Sequence, residues 1–216
     1  MNPLARRGGS GLIALIFIAT ASASAAAPTP PAGDVTIASI PLFARMASDG
    51  DSLRTYKVPV HMSGWLHKFI FTFHFQRDGM ASFAQPASLQ FVFDSVPQKY
   101  TQIFGQLGTP RTWPAIYNLQ CVKTEQVDGV TQYEIHGVPK DPSSDIDYVV
   151  IRMNDHVGPI TAQWFLRDGW NVTSTIQMES VGNYLLPKED DTVVTGHGYN
   201  IHSDVTYGNY ELNSAA

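Results

Sequence analysis

The chain has 216 residues, a formal net charge of −5 and a single cysteine. A mildly acidic chain is not expected to bind nucleic acid, which needs a basic face. One cysteine excludes an internal disulfide and leaves Cys121 as a buried small apolar residue or a reactive thiol, with Leu119 and Val122 beside it favouring burial.

Residues 1–26 read as a secretory signal. Arg6 and Arg7 supply the positive start, Leu12 to Ile18 the apolar run, and Ala23 to Ala26 the small-residue cleavage site. The apolar run is too short to span a bilayer as a helix. No cysteine stands at the cleavage site, so no lipid anchor is expected there, and the address is periplasmic or secreted. Loss of Arg6 and Arg7 moves the formal charge from −5 to −7. Residues 27–34, rich in Pro and Ala, form a flexible leader, and residues 35–213 form one domain.

Within that domain, Ile37, Ile40, Leu42, Phe43 and Met46 recur at helical spacing and predict a helix over Thr36 to Ser48, with Pro41 as an irregularity. Leu53 to Ser63 alternates Tyr56, Val58, Val60 and Met62 against polar positions. Pro59, which lacks a ladder donor, marks it as an edge strand. Phe69 to Phe75 is the next strand, followed by a turn at Asp78-Gly79, a short strand at Met80 to Phe83, and another at Leu89 to Asp94. Val96, Tyr100, Ile103, Phe104 and Leu107 share a helical face that ends at Gly108. A meander completes the chain: Tyr117 to Glu125, Thr131 to Gly137, Asp147 to Met153, Ile160 to Arg167, Trp170 to Glu179, Tyr184 to Pro187, Thr192 to Gly196 and Val205 to Leu212. Asp128-Gly129 and Asp168-Gly169 are the turns. The fold class is therefore α+β, a large curved antiparallel sheet with helices on one face.

The most apolar stretch is Phe69 to Phe75, whose alternate positions Phe69, Phe71, Phe73 and Phe75 form one aromatic row, with Leu89, Phe91 and Phe93 as a second row nearby. So much aromatic surface must be covered by core, by a helix or by a ligand. Other chemistry is thin. His197 and His202 lie five apart, on opposite faces of a strand, and Glu189-Asp190-Asp191 reads as a solvated loop without the spacing of a calcium site, so no metal or other cofactor is expected. His61 and Ser63 share a strand face, yet no nucleophile elbow, zinc motif or phosphate loop is present, and an enzyme is not expected.

The element order, together with the segments Tyr148 to Asp155, Gln163 to Gly169, Gly182 to Pro187 and Tyr207 to Asn213, resembles the LolA/LolB-like outer-membrane lipoprotein carrier superfamily. The resemblance covers most of the domain at the level of architecture. It implies a strongly curved, incompletely closed half-barrel whose concave face, covered by helices, forms an apolar cavity for a lipid or acyl chain. The basic, Pro-containing segment of the dedicated carriers is missing after the early hairpin, where Phe83 to Ala87 stands instead. On this reading Phe69, Phe71, Phe73, Phe91, Phe93, Ile103, Met153, Trp164 and Ile176 line the cavity; packed core is the competing reading of the same residues. The function that follows is a periplasmic binder or carrier of an apolar ligand, working as a monomer, with envelope membrane proteins as further partners. The alternative is an envelope interaction or sensor protein that uses the same fold without a ligand.

Overall fold

The computed structural model describes residues 35–48, 52–85, 88–96, 101–156 and 159–213. The expected signal and leader lie outside the described residues, as do positions 97–100 of the expected second helix. Among the described residues, eleven strands form one sheet, joined by three short α-helices. The strands are β1 (Thr55–Lys68), β2 (Phe71–Ala84), β3 (Ser88–Phe93), β4 (Tyr117–Val127), β5 (Val130–Pro139), β6 (Ile146–Asn154), β7 (Ile160–Leu166), β8 (Asn171–Val181), β9 (Tyr184–Gly196), β10 (Tyr199–Tyr207) and β11 (Glu211–Leu212). Their order is β3-β2-β1-β10-β9-β8-β7-β6-β5-β4, with β11 paired to β1, and every pairing is antiparallel. Among the described residues the two edges, β3 and β4, do not pair, so the sheet is open.

All three helices pack on the same face of this sheet, the inner face. Pro41 divides the first expected helix into a 3-10 turn, Ile37–Ser39, and α1, Pro41–Ser48, because a proline has no N–H to continue the ladder but fits a first helical position. Helix α1 buries Leu42, Phe43 and Met46 in a core cluster with Ile135, Ile151, Trp164 and Ile176. Helix α2, Gln102–Leu107, lays Phe104 against Phe91 and Phe93 of β3, with ring centroids 5.5 and 6.2 Å apart. Helix α3, Trp113–Ile116, was not expected, because four residues are too few for a period to show; it seats Trp113 edge-on against Trp164 of β7. A second cluster gathers Tyr56, Val58, Val60, Phe83, Phe91 and Phe93, and Phe104 packs against both clusters.

Several expected boundaries move. Asp78-Gly79 is not a turn. Strand β2 runs straight through it, paired residue for residue with β1, and the hairpin turns instead at Phe69-Ile70, where Phe69 takes φ 55°. Gly79 serves a close approach, since a Cβ there would stand 2.4 Å from the Val92 carbonyl oxygen. Nor is β1 an edge strand; it lies between β2 and β10. Pro59 is tolerated because β10 ends opposite Val60 and β11 resumes opposite Lys57, so that in the gap only the Pro59 carbonyl is used, accepting from Gly208 N at 2.8 Å. Glu189-Asp190-Asp191 is not a loop but the middle of β9. The turns at Asp128-Gly129 and Asp168-Gly169 stand as expected, with positive φ at Asp128, Gly129 and Gly169, and Cys121 is buried.

Close packing at the centre of the sheet gives a direct test. A Cβ on Gly64 would lie 2.0 Å from the His202 carbonyl oxygen and 2.9 Å from Phe75 Cζ. Gly64→Ala is expected to cost about 1–3 kcal/mol, read as a lower urea midpoint at unchanged slope. An unchanged midpoint would show that β1 and β10 are not held this tightly.

Candidate functional site

Side chains alternate across a strand, so the register fixes which residues share the inner face. One row across the sheet runs Phe73, Leu66, Ile201, Val194, Val172, Trp164. The next runs Phe75, Gly64, Ser203, Thr192, Ser174, Ala162, and the one after it Arg77, Met62, Val205, Asp190, Ile176, Ile160. At the β7–β8 end these rows are buried under the helices. Toward β2 the cover gives out: Ile201, Val194, Ser203, Val205 and Met62 are half-buried, and Phe71 and Phe73 remain 60% and 50% exposed on the face that elsewhere forms the core. The hairpin tip beyond them is barer still, with Phe69 75% and Ile70 86% exposed.

The expected lining residues therefore divide. Phe91, Phe93, Met153, Trp164 and Ile176 are buried, and Ile103 is partly buried against the same core. Phe91 and Phe93 face Ala81 and Gly79, not the Phe71 to Phe75 row, because β2 is longer than its alternation suggested and the β3 pairing falls at its far end. Phe69 sits on the turn. The strip of partial cover is lined by Phe71, Phe73 and Phe75 with Leu66, Ile201 and Val194, of which Leu66 is buried. The last three lie on other strands, and only the register brings them together. The Trp164 indole donates to Tyr117 Oη at 3.1 Å and Tyr117 Oη donates to the Gln106 carbonyl at 2.6 Å, closing the packed half around satisfied polar atoms. Burial holds the Tyr117 hydroxyl well above its ordinary pKa, despite the indole bond.

A carboxylate shares this face. Asp190 is half-buried by area yet enclosed on most sides, and its Oδ1 accepts from Ser174 Oγ at 2.5 Å and Thr192 Oγ1 at 2.8 Å. Desolvation raises its pKa above 3.8, with the two hydroxyls acting in the opposite direction. Sequence alone hid it, since three consecutive acids look like loop; the signal was the alternation that puts Asp190 in phase with Thr192 and Val194.

The outer face carries a different group. His202 Nε2 stands 3.1 Å from Asp191 Oδ2 and its Nδ1 3.8 Å from Asp204 Oδ2, with Trp65 stacked on the ring. The ligand atoms of these three residues lie within 4.8 Å of one another and would offer a cation one nitrogen and two carboxylates. His197 is not part of it: it occupies a turn at φ 49°, with Nε2 2.8 Å from the Asp168 carbonyl oxygen. His61 pairs across the hairpin with Asp78, Nδ1 to Oδ1 2.7 Å, and not with Ser63. A cleft of about 230 Å³ beside Lys123, Glu134, Arg152 and Met153 is lined mainly by polar groups.

The fold, though not the site, is matched by solved structures over 81% of the chain. A domain named for outer-membrane lipoprotein sorting, from Vibrio parahaemolyticus, superposes with a TM-score of 0.56 at 10% identity, over 81% of this chain and 92% of that one. A LolA superfamily protein from Nitrosomonas europaea gives 0.51 at 12% identity, over 81% and 93%. The fold is that of the LolA superfamily. A DUF1329 family protein from Desulfovibrio piger ATCC 29098 superposes with a TM-score of 0.51 at 11% identity, over 81% and 92%. At the level of sequence, no family model and no curated protein matches the chain. With identities this low, the matches show a shared fold alone.

The buried carboxyl has a consequence for stability. With its pKa raised above 3.8 in the fold, Asp190 binds its proton more tightly folded than unfolded. Its contribution is therefore fully present in acid and is lost as pH rises through the folded-state value. Asp190→Asn lacks that loss, so its melting temperature relative to the parent should increase between about pH 4 and about pH 7. A difference that stays flat across that range would contradict the shift.

Proposed function

We propose that this chain is a periplasmic binder or carrier of an apolar ligand, a lipid or an acyl chain, and not an enzyme. The ligand's seat is the uncovered strip of the inner face, and the carrying observation is that Phe71 and Phe73 stay 60% and 50% exposed on the face that builds the core. Large aromatics on a covered face but outside its cover are apolar surface left for another molecule. Phe104, which packs against both core clusters, is compatible with a sheet that curves around α2, and we take a half-barrel as part of this reading. The lipoprotein-sorting name of the Vibrio domain supports an acyl chain as the ligand class. The signal-like sequence pattern of residues 1–26 supports the periplasmic address, and on this reading the chain acts as a monomer.

One observation favours a second reading, an envelope interaction protein without a ligand: the half of the inner face under α1 and α3 is filled by its own Trp113 and Trp164. The fluorescence of N-phenylnaphthylamine on titration with purified protein separates the two. The carrier reading expects enhancement, and expects the double variant Phe71→Ser, Phe73→Ser to weaken the probe about tenfold while each exposed change alters stability by no more than about 0.5 kcal/mol. Phe91→Trp, in the packed part, is expected to cost about 1–3 kcal/mol. No enhancement in the parent, with no lipid recovered by organic extraction, leaves the interaction reading in place.

A further inference from the structure

We infer that the ligand of this strip carries an ammonium head, and that Asp190 selects it. The inference rests on the carrier reading and adds the chemistry of the ligand's polar end. Asp190 and Phe75 lie on adjacent rows of the inner face, and three strand spacings, about 14 Å, separate β9 from β2. Between them the face carries Met62, Val205, Ser203 and Gly64, mostly apolar or small and none of them charged. A medium-length alkyl chain laid along this strip from the phenylalanines would bring its head to the carboxylate.

The carboxylate is held for such a contact. Both hydroxyl donors, Ser174 Oγ and Thr192 Oγ1, go to Oδ1. Among the described residues Oδ2 has no hydrogen-bond partner, and Asp190 as a whole is half-buried by area, not sealed. The groups around it add no positive charge. Tyr207, on the neighbouring strand, is held neutral, since burial and the Asp190 charge both raise its pKa, and Asp191 on the opposite face contributes further negative potential. Arg77 stands at the far end of the same row, with its Nη1 donating to the Gln76 carbonyl oxygen at 2.6 Å. A carboxylate with little water and no cation beside it is unfavourable unless something supplies the charge. An alkylammonium does so and donates to Oδ2, whereas a fatty acid brings a second negative charge to the same place.

The test is displacement of N-phenylnaphthylamine from the full mature chain by dodecylamine and by dodecanoic acid, below their aggregation concentrations. The parent is expected to prefer the amine by about tenfold or more, the equivalent of one pKa unit of differential interaction. In Asp190→Asn the ratio is expected to fall to about twofold or less, since the amide keeps the shape and loses the charge. Equal displacement by both compounds in the parent overturns the inference whatever the variant does, and so does a preference that persists in the variant. Probe binding without amine preference removes this inference and leaves the carrier reading intact. If the probe does not bind the parent, both fall.

Discussion

A sheet of eleven strands must cover one apolar face with very little helix. At about 4.8 Å per strand the sheet is roughly 50 Å across. The helices have eight, six and four residues, which at 1.5 Å per residue gives lengths of about 12, 9 and 6 Å. Helical cover of that size suffices for one half of the face. The other half must curl over itself, expose apolar surface or hold something else.

The chain concentrates its cover. Helices α1 and α3 sit over β4 to β8 and the start of β9, where Trp113 and Trp164 meet edge to face, and α2 closes over β3 through Phe104. The central strands β1, β10 and β9 lie between these covered regions; Met62, Asp190, Val194, Ile201, Ser203 and Val205 on their inner face are half-buried, while Val58, Val60, Leu66 and Thr192 are buried. The same geometry accounts for the Asp190 environment. A carboxyl in the middle of a fully covered face would have every lone pair sealed, and one on the outer face would be solvated like Asp191. Asp190 falls on the inner face where cover is partial, so it is desolvated and yet only half-buried by area.

Short-range features were legible in the residues. Strand alternation, the Asp-Gly turns, the proline break at Pro41 and the burial of Cys121 depend on neighbours within a few positions, and each is found in the structure. The Asp78-Gly79 turn failed for a reason of the same kind in reverse. A dipeptide that favours a turn was overridden by fourteen matched pairs between β1 and β2, and the glycine was used to let β3 approach.

By itself the sequence determined that the chain is mostly antiparallel sheet with sparse helices and one aromatic row, because the period of the side chains is a local property. Only the tertiary structure decided which aromatics are core and which are bare. Phe91 and Phe71 look alike in sequence, both alternating in a strand. Phe91 lies beneath α2 and Phe71 lies beneath nothing described. That difference depends on where a helix distant in the chain comes to rest, and on a register that sets Leu66, Ile201, Val194 and Asp190 on one face from strands far apart in sequence. Such a constraint is long-range, and no window of residues contains it.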